Sequence, residues 1–187
     1  MREMKILQDY LSKEEEAKDI LRLIMESLVE RVYEEDEEAL FLPGDINEDE
    51  KYVVWSLRPF YEEELEEGAG EEDEEELEEA EGRRLTCEVG VYFWSPEDFG
   101  PAASIYVIFD GGPRGLRWRL LNKMARKLKG KIFLTQEEWT EDEAEINRLA
   151  LEDFGNPEEL VETLTEELLE TGEKVIDILA AEEVIEA

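Results

Sequence analysis

Apolar residues recur at two different periods along this chain, and the changes of period mark the expected elements. From residue 12 to 34 they fall at Ala17, Ile20, Leu21, Ile24, Leu28 and Val32, the spacing of one face of a helix. Ser12 and Glu15 stand ahead of that run in a capping-box arrangement, so the helix is expected to begin there. Between Tyr52 and Tyr61 the pattern turns β-branched and aromatic, with Val53, Val54, Trp55 and Phe60, and predicts a strand after the turn chemistry of Leu42-Pro43-Gly44-Asp45. Arg83 to Trp94 alternates, placing Leu85, Cys87, Val89, Val91 and Phe93 on one side. Ser104 to Phe109 is apolar on both sides, as suits a strand inside a sheet.

Beyond Asp110-Gly111-Gly112-Pro113 the helical period returns in Leu116, Leu120, Leu121, Met124 and Leu128, and Gly130 is the expected end. Ile132 to Leu134 reads as a short strand, and this strand, helix, strand succession permits a right-handed parallel crossover. The remainder reads as helical. Thr140 and Glu143 form a second capping box, Asn156-Pro157 offers an N-cap with proline at N1, and Gly155 and Gly172 read as stops. The expected class is α+β: a small, mostly antiparallel sheet of three to five strands packed with helices, with an acidic helical C-terminal region over 140–187. A chain of 187 residues can bury one sizeable core, so 1–187 is expected to be a single domain. No internal repeat is present.

Charge changes this picture more than any motif does. The 54 acidic and 20 basic residues give a net charge of −34, which opposes compaction and disfavours nucleic acid or anionic membranes as direct ligands. The distribution is uneven. Residues 62–81 hold 14 acidic residues in 20 and no basic one, among them Glu71, Glu72, Asp73, Glu74, Glu75 and Glu76, and this stretch is expected to be an acidic insertion between two strands. Residues 111–136 carry a charge of +8 with no acid at all. There Arg119, Lys123, Arg126 and Lys127 share the helix face opposite Leu120, Leu121, Met124 and Leu128, flanked by Trp118. A basic face beside an aromatic could bind phosphate, but the surrounding negative charge makes ion pairing within the chain the more economical expectation.

The candidate chemistry is mostly defined by exclusion. With no histidine, the commonest general base and zinc ligand are missing. No nucleophile elbow, P-loop or dinucleotide fingerprint occurs. The apolar run Val107 to Phe109 ends in Asp110, yet the second aspartate that a phosphatase of that pattern needs is Gly112. Asp45, Asn47 and Asp49 open like a calcium loop, but Glu50 stands at the glycine position and Ser56 at the bidentate glutamate, so an Asx turn is expected instead. An enzyme using paired carboxylates would have to draw them from 54 candidates that the sequence does not distinguish. No metal and no cofactor is expected.

One cysteine, Cys87, in an apolar alternating stretch reads as a buried thiol and suits a reducing, cytoplasmic setting. Residues 1–11 mix charges among apolar positions and do not read as a signal peptide. The functional expectation is a non-catalytic acidic binding protein that occupies a basic, possibly nucleic-acid-binding, site on another protein, as an inhibitor, an immunity protein or a DNA mimic. Its partner-binding residues are expected in the acidic insertion and in Glu158, Glu159, Glu162, Glu166 and Glu170, which recur at helical spacing. The alternative expectation is a chaperone-like or adaptor module that binds through apolar sheet and helix faces.

Overall fold

The structure, a computed structural model, describes Met4 and residues 18–60, 85–96, 98–128 and 143–184. Helix α1 (Lys18–Glu35) is followed by strands β1 (Asp45–Asn47) and β2 (Tyr52–Ser56), then by β3 (Thr86–Trp94) and β4 (Ala102–Asp110). Helix α2 (Arg114–Lys127), β5 (Glu143–Ala150) and the long helix α3 (Pro157–Ala181) complete the order. The five strands form one sheet in sequence order, β1-β2-β3-β4-β5, and every neighbouring pair is antiparallel. The α+β class expected from the pattern is the class observed.

Strand alternation divides the sheet into two faces. Val53, Trp55, Cys87, Val89, Val91, Phe93, Ile105, Val107 and Phe109 point to the helical layer and join its apolar faces in one core. Helix α1 contributes Leu21, Ile24, Met25, Leu28 and Val32, and α3 contributes Leu160, Leu164, Leu168, Val175 and Leu179. Of these, Leu21, Ile24, Leu28 and Val32 are the periodic positions expected from the sequence.

Several boundaries fall elsewhere than the pattern places them. The strand expected over residues 52–61 stops at Ser56, because Pro59 has no N–H to give a ladder; Arg58–Phe60 is a 3-10 turn instead. The turn expected at Leu42–Asp45 lies at 48–51, where Asn47 Oδ1 accepts the Glu50 amide at 3.1 Å, the expected Asx turn. Gly172 does not stop a helix. It sits inside α3, where a Cβ would come within 2.5 Å of Phe41 Cζ, so glycine there admits the ring. At Asp110-Gly111-Gly112 the expected turn is present. Both glycines have positive φ (65° and 64°), and Arg117 Nη1 donates to both of their carbonyls.

The largest correction concerns 140–187, which is not helical throughout: Glu143–Ala150 is strand β5. Its residues are mostly good helix formers, but pairing with β4 satisfies its backbone and buries Ala144 and Ile146, and tertiary context overrides propensity. The parallel crossover expected to lead into Ile132–Leu134 falls on residues outside those described, and the next described strand after α2 is β5. Glu143 pairs with Ile108, so the chain comes back to the end of the sheet that it left after β4 and runs antiparallel. The Ser12–Glu15 and Thr140 caps, the 62–81 insertion with Glu71, Glu72, Asp73, Glu74, Glu75 and Glu76, the Gly130 stop and the Ile132–Leu134 strand lie outside the described residues.

Candidate binding surfaces

The sheet's second face, turned away from the helical layer, carries a different set of side chains. Tyr52, Tyr92 and Tyr106 occupy adjacent positions on β2, β3 and β4, brought side by side by the registers Tyr52↔Tyr92 and Gly90↔Tyr106. The rings of Tyr52 and Tyr92 stack at 5.9 Å and 17°, and Tyr92 meets Tyr106 edge-on at 6.2 Å and 71°. Tyr92 remains 39% exposed. Gly90 lies on the same face, cross-strand from Val54 and Tyr106, and with no side chain there the face dips. The resulting concavity is about 430 Å³, and Glu50, Glu88 and Glu143 stand on its margin. Glu88 accepts from Ser56 Oγ at 3.2 Å and Glu50 from Asn47 Nδ2 at 3.3 Å, which holds both carboxylates in place. Partial burial, then the nearby carboxylates of Glu50 and Glu143, raise the Tyr92 phenol above its ordinary value. Burial, followed by Glu145 and Glu143, raises Tyr106 further.

One end of this face is pinned by a closed polar network. A bulge opposite Ile105/Tyr106 adds a residue to β5, so Glu145 and Arg148, three apart, come to one side of the sheet instead of opposite sides. Arg148 grips Glu145 with Nε and Nη2, both at 2.6 Å. Ser104 Oγ donates to the same carboxylate at 2.7 Å and accepts from Trp94 Nε1 at 2.8 Å. The guanidinium rests over Trp94 (5.1 Å) and Phe99 (5.2 Å). Among the described residues Glu145 is the one fully buried carboxylate, and it accepts from three donors. That is the arrangement of a structural brace.

The expected partner-binding row on α3 is where the helical spacing puts it. Glu158, Glu159, Glu162, Glu166 and Glu170 are all exposed, on the side of α3 opposite its buried residues, and Glu173 and Asp177 continue the row. Parts of it are engaged. Glu159 Oε2 accepts from the Gly155 amide while Asn156 Oδ1 accepts from the Glu159 amide, a reciprocal cap; Arg31 Nη2 lies 3.7 Å from Glu162; and Lys174 pairs with Glu170. Beside the row, α1 and the start of α3 enclose a groove of about 740 Å³ that includes Leu23, 56% exposed.

Of the basic face on α2, Lys123 pairs with Glu182 just past the end of α3. Among the described residues this is the one ion pair made by the four; Arg119, Arg126 and Lys127 are exposed. Among the described residues, the ion pairing expected within the chain is present at Lys123, and pairing with the 62–81 insertion lies outside them. No three His, Cys, Asp or Glu side chains among the described residues gather as a metal site, and no described helix is long and apolar enough to cross a membrane.

The tyrosine face is the feature that sequence reasoning missed. Its members lie on three strands, and only the register joins them. A usable signal was present in β3, whose polar phase reads Glu88, Gly90, Tyr92, Trp94, an unusual set for a merely solvated face. No family model, curated protein or solved structure matches this chain.

Proposed function

We propose that this protein is a non-catalytic binding protein whose acidic surface occupies a basic site on another protein. The observation that carries the reading is the exposed row Glu158, Glu162, Glu166 and Glu170, fixed on a 25-residue helix whose opposite face is locked into the core. A folded array of this kind presents its charges without the ordering cost that a flexible acidic segment meets on binding. Successive carboxylates four residues apart stand about 6 Å apart along the helix axis. That is sparser than the ~3.4 Å per phosphate along one strand of duplex DNA. The spacing supports an occupant of a basic surface, a nucleic-acid-binding one included, more than a close copy of the duplex. A net charge of −34 adds long-range attraction for such a partner and repels nucleic acid itself.

The test is capture of partners from source lysate at low and high salt, followed by titration of the identified partner. The combined variant E158Q/E162Q/E166Q/E170Q should weaken the complex by at least about tenfold, and salt should weaken the wild-type complex steeply. A partner that is acidic or neutral, bound with an affinity indifferent to salt and to the four substitutions, would defeat the proposal.

A further inference from the structure

We infer that the concavity on the open face of the sheet, floored at Gly90, walled by Tyr52, Tyr92 and Tyr106 and edged by Glu50, Glu88 and Glu143, binds the cationic side chains of an extended lysine- or arginine-bearing segment of a protein partner. The inference rests on the reading that the partner is basic, and goes beyond it by assigning a second site with its own chemistry.

Three observations converge on a cation. An aromatic ring presents a negative face, and stacked tyrosines beside an open pit offer such faces where a side chain can reach them. The flanking carboxylates add formal negative charge at the margin, and two of them are held by hydrogen bonds from Ser56 and Asn47. Glycine inside a paired strand is weakening, because it packs nothing and loses more entropy than other residues. At position 90 a Cβ would come within 3.1 Å of the Val53 carbonyl oxygen and 3.7 Å of Val54 Cγ2, so glycine lets the strands close up there and adds no side chain to the concavity that it helps line. Two other occupants are disfavoured by charge. A second copy would bring together two chains of −34 each, and an anionic ligand would meet the same carboxylates.

Cation–π contacts depend on the ring, so the site can be separated from general acidity. Tyr92→Leu keeps size and net charge but removes the ring, and Tyr92→Phe restores it. The probes are synthetic peptides of alternating serine and arginine, alternating serine and lysine, and the lysine peptide with every amine acetylated, titrated by calorimetry at low and physiological salt. The charged peptides should bind wild type, with Tyr92→Leu weaker by about tenfold and Tyr92→Phe within about twofold. The acetylated peptide should not bind. Amide and tyrosine-ring NMR shifts of wild type on titration should centre on Tyr52, Gly90, Tyr92 and Tyr106, a readout that holds even if Tyr92→Leu is poorly folded.

Equal affinity of Tyr92→Leu and wild type, binding of the acetylated peptide, or shifts confined to α3 would overturn the site. If in that case E158Q/E162Q/E166Q/E170Q abolishes binding of the charged peptides, the basic-partner reading survives without this inference. If the charged peptides bind no variant at low salt, both fail.

Discussion

Strand β3 sends Cys87, Val89, Val91 and Phe93 to one side and Glu88, Gly90, Tyr92 and Trp94 to the other, and the two sides of the sheet have opposite chemistry. The covered side is aliphatic and aromatic, without a polar side chain from β3, and its packing against α1 and α3 holds the fold together. The other combines stacked phenols, held carboxylates and a pit, with a buried ion pair bracing one end. Solvation of an outer face does not call for three abutting tyrosines, whereas Gly90 sits where a Cβ would stand 3.1 Å from the Val53 carbonyl oxygen. The contrast teaches that one strand period can carry two chemistries: every second residue of β3 joins the core, and the residues between form a polar and aromatic face.

Adjacent residues give the sharpest way to break this comparison. Phe93→Ala removes a fully buried ring from the core and should cost about 3–5 kcal/mol in denaturant unfolding. Tyr92→Ala, one residue earlier on the exposed side, should cost no more than about 1 kcal/mol. Similar losses at the two positions would mean that the outer face is as much a folding element as the inner one.

The brace at the end of the open face should come next in size. Arg148→Ala leaves the buried Glu145 carboxylate without its ion partner and should destabilise by about 3 kcal/mol. Replacing both, as E145Q/R148M, should recover part of that loss, because the unpaired buried charge is gone. A double variant no better than the single one would show that shape at this corner matters more than charge.

The smallest effect is in alkaline solution. Tyr92 and Tyr106 ionise above their ordinary value of 10.0 in the folded chain, chiefly through burial. Below pH 10 their protons are bound in both states and the contribution is constant. Above it the unfolded chain releases protons that the native chain retains, so stability falls with rising pH until the native phenols ionise too. The buried Cys87 thiol, raised by desolvation and then by Glu88, adds a loss of the same sign from its ordinary 9.0 upward. Thermal melts against pH, with phenolate absorbance followed in parallel, check this. Tyr106→Phe should flatten the alkaline limb.

Periodic elements were legible because their pattern coincides with burial. Leu21, Ile24, Leu28 and Val32 of α1, the alternation of β3 and the Asn156-Pro157 start of α3 all stand where residue spacing puts them. Strand β5 was not legible, since Glu143, Ala144 and Glu145 are residues that helices favour and the bulge at Ile105/Tyr106 breaks its alternation. The α3 carboxylate row could be read from spacing alone, because a helix carries its own geometry. The tyrosine face could not. Which tyrosine abuts which depends on the registers of three strands, and no short-range pattern encodes those registers.

The order of elements has a consequence for how the molecule is made. Each strand of the sheet pairs with the one synthesised just before it, so every ladder can close soon after its second strand emerges. The helical layer cannot follow that schedule. Helix α1 packs against α3 as well as against β1 and β2, and Arg31 reaches Glu162, so part of its apolar face waits uncovered until α3 has been made. A nascent chain lacking α3 therefore exposes an apolar stripe and has no fixed acidic row. The surface that is proposed to meet a partner comes into being in the same step that covers α1, which ties readiness to bind to the docking of α3.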